Sequence, residues 1–157
     1  MPDVPVAITG AAALRCHGVA FAHSGPIALI DGRDPGEPRH DEAEPSAPPL
    51  DGVRWWSLPD EGPLVRAAVR CATVFANTPC RVVTMPWWVT LTLCDLSADP
   101  RPAIRQALQA GVVPLAETRQ LVMLRAGRGA RHLLEDLIAD AEWALMRARY
   151  ASGEDVH

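Results

Sequence analysis

Apolar residues recur along this chain at two periods, and each period predicts its own elements. Residues 4–9 (VPVAIT) are apolar and β-branched, with a proline that suits a strand start or an edge. Residues 26–30 (PIALI) form a second short strand, closed by the Asp31-Gly32 turn signal. Between them, Ala11, Ala12, Ala13, Leu14, Cys16, Val19, Ala20 and Phe21 fit a short helix over 11–22, which Gly18 weakens. Residues 64–76 (LVRAAVRCATVFA) read at period two. Val65, Val69, Cys71 and Phe75 make one face, and Arg66, Ala68, Arg70, Ala72 and Val74 make the other. After the turn signal Asn77-Thr78-Pro79, residues 81–94 (RVVTMPWWVTLTLC) repeat the alternation. Val83, Met85, Trp87, Val89, Leu91 and Leu93 stand against Thr84, Trp88, Thr90 and Thr92. Together these runs predict a long antiparallel hairpin in which Pro86 marks a bulge or an edge.

Further along, residues 101–110 (RPAIRQALQA) predict a helix with Ile104 and Leu108 inward, ended by Gly111. Residues 119–125 (RQLVMLR) predict a strand, with a turn at Gly127-Arg128-Gly129. Residues 131–150 predict a long helix. Leu134, Leu137, Ile138, Ala141, Leu145 and Ala148 make its apolar stripe, with Glu135 and Asp136 near its start and Arg147 and Arg149 near its end. The expected fold class is therefore α+β: an antiparallel β-sheet with flanking helices and a long C-terminal helix. We expect one domain over 1–150 and a flexible tail over 151–157.

One segment departs from both periods. Between Asp31 and Pro63 there are seven prolines, and Glu37, Asp41, Glu42 and Glu44 cluster there. Such a run buries too little apolar surface to order itself, and it is too long for an ordinary connection. A Pro-rich acidic loop or a functional lid is expected, anchored at Trp55 and Trp56.

The chain has 157 residues and a formal charge of −4; all of its 15 basic residues are arginine. The length suits a single domain with a real core. The mild acidity argues against a nucleic-acid partner. Without lysine, Schiff-base chemistry and P-loop phosphate binding are not expected. The first residues lack a cationic leader, and no apolar run reaches the roughly 18 residues that span a bilayer, so a cytoplasmic protein with no membrane partner is expected. Cys16, Cys71, Cys80 and Cys94 form no C-x-x-C pair and read as buried small hydrophobes. His17 and His23 have a poor spacing for a metal site on a helix, and His132 is expected to be exposed. No nucleotide or metal motif is present, so no cofactor is expected.

Candidate chemistry gathers on the second face of the expected hairpin. Arg66 and Arg70 flank the small Ala68 there, opposite a row of Thr on the partner strand. Guanidiniums among small and hydroxyl side chains suit a pocket for a small carboxylate-bearing molecule. The same pattern suits an exposed face whose arginines meet acidic residues of 31–63, and the sequence leaves both open. Five Trp against one Tyr and two Phe is unusual usage. On extended chain the doublets Trp55-Trp56 and Trp87-Trp88 each place one ring inward and one elsewhere. They read as core and loop anchor, as the wall of an aromatic-ligand site, or as a patch where two subunits meet. Trp143 falls off the main helical stripe and leaves a homodimer open.

Three short stretches carry a family likeness. They are R-C-A-T-V-F-A-N-T-P from Arg70 to Pro79, M-P-W-W from Met85, and L-Q-A-G-V-V-P-L-A-E from Leu108 to Glu117. In these, the segment 65–121 resembles the chorismate lyase superfamily, which includes effector-binding domains of some bacterial transcription regulators. The family typically has Leu-Gly after the last proline, where this chain has Leu115-Ala116. The resemblance implies an antiparallel sheet around an internal pocket for an aromatic or carboxylate ligand. It also implies cleavage of chorismate to 4-hydroxybenzoate and pyruvate. Arg70 would hold the substrate carboxylate, with Arg66 as its substitute, and Glu117 is the candidate for the assisting Glu. The family's late strand with its Glu is replaced here by a long helix. Thr84, Trp88 and Leu115 complete the expected substrate-binding set. The expected function is a small cofactor-independent enzyme acting on an aromatic or enol-carboxylate metabolite. The alternative is a non-catalytic module that binds a small ligand or another protein.

Overall fold

A computed structural model describes residues 6–20, 27–32, 53–56, 62–75, 78 and 80–153. The apolar runs at the start of the chain form strands as expected: β1 (Val6–Thr9) and β2 (Ile27–Asp31), paired antiparallel with Ile8 opposite Leu29. The helix between them, α1 (Gly10–Cys16), stops earlier than its alanine-rich pattern, with His17 as its C-cap and Gly18 at φ +85°. Most of the Pro-rich acidic loop lies outside the described residues. Inside its span, β3 (Val53–Trp55) pairs parallel with β2, and the Trp56 N–H extends that ladder to the Leu29 carbonyl at 2.8 Å. The anchor expected at the first Trp doublet is thus a strand.

Of the expected long hairpin only Thr73–Val74 and Arg81–Val82, on either side of the expected turn, pair antiparallel; most of the rest of both runs is helical. Residues 64–70 belong to α2 (Gly62–Arg70), which ends before a two-residue strand, β4 (Thr73–Val74). After β5 (Arg81–Val82), the chain enters α3 (Met85–Cys94). The misreading has a physical cause. Val65 and Val69, like Arg66 and Arg70, are four apart, a spacing that is two strand repeats and also about one helical turn. The neighbours decide between the two. Leu64 and Ala68 are buried beside Val65 and Val69, a pattern only a helix gives.

In α3 the alternation with Thr is real, but it is no solvent face: Thr90 is fully buried and Thr92 half-buried. The helix is apolar all round and buried, the signature of a central element. Pro86 occupies its first turn, where a missing N–H costs nothing, rather than a bulge. Thr90 and Thr92 donate their hydroxyls to the carbonyls of Pro86 at 2.8 Å and Trp88 at 2.7 Å. Such bonding four residues back makes threonine tolerable in an apolar helix. Trp87 and Trp88 are both buried here, at 7% and 2% exposure, instead of facing opposite ways.

The sheet is mixed rather than antiparallel, in the order β3-β2-β1-β5-β4. Its β1–β5 and β2–β3 pairs are parallel, and its β1–β2 and β4–β5 pairs antiparallel. The α+β class holds; the sheet type does not. α1 and α2 pack on the sheet, and α3 touches both of them and joins the sheet to the remaining helices.

Those helices are α4 (Arg101–Gln109), α5 (Leu115–Arg125) and α6 (Gly127–Ala151). α4 follows its expectation, with Ile104 fully buried, Leu108 half-buried and Gly111 at φ +69° just past its end. α5 replaces the expected strand at 119–125. Its buried Thr118 and Val122 are one turn apart, and the Thr118 hydroxyl donates to the Pro114 carbonyl at 2.8 Å. α6 buries Leu134, Leu137, Ile138 and Ala141 as expected, leaves Leu145 and Ala148 of the expected stripe exposed where the helix runs past the core, and takes in the expected turn at 127–129. Among the described residues, no helix is long and apolar enough to cross a membrane.

Candidate functional site

The end of β1 and the middle of α3 meet at one point, and a cleft opens beside it. At Gly10 the chain turns from strand to helix with φ +63°. A Cβ there would stand 3.3 Å from that of Ala28. The position therefore needs glycine twice, for its dihedral and for its space. The Gly10 carbonyl accepts the Nε1–H of Trp88 at 3.1 Å, which fixes the indole against β1. On the other side Trp56, leaving β3, donates its Nε1–H to Oδ2 of Asp95 at 3.0 Å. Oδ1 of Asp95 accepts the backbone N–H and the hydroxyl of Ser97 at 2.9 and 2.6 Å. Both indoles are thus held by their polar edges, and both residues line the cleft, Trp88 with only 2% of its surface exposed.

The cleft has a volume of about 350 Å³. Besides the two indoles, Leu14 and Leu91 supply apolar wall, and Asp95 and Asp99 supply carboxylates. Among the described residues, its lining contains no arginine. A volume above about 300 Å³, apolar walls and a few fixed polar groups are the usual features of a small-molecule site.

A second, smaller cleft of about 240 Å³ lies between the start of α3 and one face of α5. Trp87, Thr84, Glu117 and Cys71 line it, and the Arg125 guanidinium stands 5.9 Å from the Trp87 ring. Cys71 is exposed, against the expectation of a buried thiol; Cys16, Cys80 and Cys94 are half-buried.

The expected site residues are thereby separated. Thr84 and Glu117 share the smaller cleft, and Trp88 belongs to the larger one. Leu115 is the half-buried first residue of α5 and packs against the core. Arg66 and Arg70 lie on the outer side of α2 and line neither cleft. Ala68, expected between them on one face, is fully buried on the opposite side of the helix. Arg70 is exposed in the last turn, at the negative end of the helix dipole. Arg66 folds back over the first turn, where a Cβ on Gly62 would meet its Nη1 at 3.1 Å. His17 donates Nε2–H to the Val83 carbonyl at 2.8 Å and packs edge-on against Phe75, a structural role.

Among the described residues, the densest charge cluster lies away from both clefts, where α5 meets α6. Arg119 grips Glu135 with two parallel bonds, Nε to Oε1 at 3.0 Å and Nη2 to Oε2 at 2.9 Å. Arg131 adds a third bond to Oε1 and also donates to the Arg119 carbonyl. The Arg119 hydrogen bonds, with Arg131 assisting, hold the Glu135 carboxyl below the usual carboxylate range. This is a brace between helices.

The pairing of Trp56 with Trp88 joins residues far apart in sequence, and no local pattern announces it. The one available signal was a glycine directly after the β1 run, at the strand-to-helix turn. No known family model matches the chain, and no curated protein or solved structure matches it either.

Proposed function

We propose that this protein is a small-ligand-binding module whose site is the cleft between Trp56 and Trp88. One observation carries the reading: two indoles, each fixed by a hydrogen bond at its edge, wall a cavity of about 350 Å³. A flat aromatic ligand gains most from such walls. Asp95 and Asp99 in the lining favour a neutral or cationic hydrogen-bond donor over a carboxylate. Here the proposal departs from an anionic substrate, because the arginines that suggested one lie on the outer side of α2.

The lyase-like enzyme remains as a second reading. What supports it is the approach of Thr84, Glu117 and the Cys71 thiol in the smaller cleft. Calorimetric titration separates the two. Tryptamine, an aromatic amine, should bind, and Trp88→Leu should weaken it at least tenfold in a folded protein. 4-Hydroxybenzoate should bind weakly, and chorismate should yield no product by absorbance. Turnover of chorismate that is lost in Glu117→Gln and kept in Trp88→Leu would reverse the assignment.

A further inference from the structure

The outer side of α6 carries a second apolar stripe, opposite the one that faces the core. His132, Asp136, Ala139, Trp143, Met146 and Tyr150 follow one another at spacings of four, three, four, three and four. That is the spacing of a helix–helix seam. Its last four members are apolar and exposed: Trp143 at 61%, Met146 at 42% and Tyr150 at 74%, with Ala139 beside them. Leu134, Leu137, Ile138 and Ala141 point the other way, into the body. Isolated exposed apolar residues need no explanation, but a stripe at seam spacing does.

We propose that this stripe docks a second copy of the same chain, with the two α6 helices antiparallel. The charges beside the seam select both the partner and the register. Place Trp143 opposite Met146 of the second copy. Ala139 then falls opposite Tyr150, a small side chain against a large one. In this register Asp140 faces Arg147, and Glu142 faces Arg149. The two-fold axis repeats each pair, and no like charges meet between residues 139 and 150. A parallel pairing would instead stack Trp143 on Trp143 and bring Glu135 beside Asp140. Asp140 also holds Arg105 at 2.9 Å, and its side chain, 59% exposed, keeps room for a second guanidinium. Since the seam and the core stripe lie on opposite sides of α6, the two bodies sit on the outside of the helix pair and do not collide. The seam from 139 to 150 spans about 18 Å at 1.5 Å per residue, so the dimer is weak and reversible.

Sedimentation velocity over a wide concentration series of the full chain tests this. The expected result is a mass that rises from monomer toward twice that value. Trp143→Glu should hold the chain at monomer throughout with unchanged helical circular dichroism. Glu142→Arg or Arg149→Glu alone should each weaken dimerisation about tenfold, since each places like charges together twice per dimer. The combined Glu142→Arg/Arg149→Glu chain should recover it, because the pair is restored with its sign reversed. A monomer at every concentration overturns the proposal, as does a dimer indifferent to Trp143→Glu. Failure of the combined variant to recover overturns the antiparallel register.

Discussion

Replacing Trp88 by Phe removes two contributions that the structure keeps distinct. The indole is 2% exposed, and its Nε1–H donates to the Gly10 carbonyl at 3.1 Å. Losing a hydrogen bond of this kind costs about 1 kcal/mol. The smaller ring also buries roughly 40 Å² less apolar surface, worth about 1 kcal/mol at 25 cal/mol per Å². The sum is about 2 kcal/mol. For a chain of 157 residues this lowers Tm by about 4–8 °C, at 2–4 °C per kcal/mol. Urea denaturation at low protein concentration measures it, with Leu96→Ala as the control. Leu96 is 96% exposed, and its loss should cost under about 0.5 kcal/mol. Equal effects from the two substitutions, or a Trp88→Phe cost under about 0.5 kcal/mol, would refute the placement of this indole between β1 and the cleft.

Two further outcomes follow from named contacts. Gly10→Ala forces a side chain into positive φ and against Ala28, and should cost about 1–2 kcal/mol in chemical denaturation. A neutral effect would remove the strand-to-helix turn as described. Glu135→Gln should cost about 0.5–1 kcal/mol at neutral pH, a modest figure because the carboxylate is 37% exposed. Its pKa is lowered in the folded protein, so the stabilisation is present above the unfolded carboxylate value. It is lost as pH falls through the lower folded value. The gap between wild type and variant should therefore close in acid; a constant gap from pH 7 to pH 3 would contradict the Arg119 clamp.

How far the sequence could be read depended on whether one period excluded the other. β1 and β2 are short apolar runs with turn residues at their ends, and both were legible. α6 was legible because Leu134, Leu137, Ile138 and Ala141 match a helix and no strand. At 64–76 the telling residues stand four apart and fit both periods. At 81–94 the threonines imitate a polar strand face while bonding to carbonyls one turn back inside a buried helix. Tertiary burial thus outweighed local β propensity. The site suffered from the same error. Arg66 and Arg70 do share a face, but it is the outer face of α2, so the anion pocket built on them loses its basis. Trp56 and Trp88 come from different doublets, and that they line one cleft depends on a long-range arrangement without a local signature.

The ligand cleft is tested most directly by following the indole N–H resonances during a titration with tryptamine. The Trp56 and Trp88 signals should shift together and saturate at one ligand per chain, with the Trp143 signal unmoved. No shift at saturating tryptamine, or shifts confined to Trp87 and Trp143, would contradict a binding site between Trp56 and Trp88.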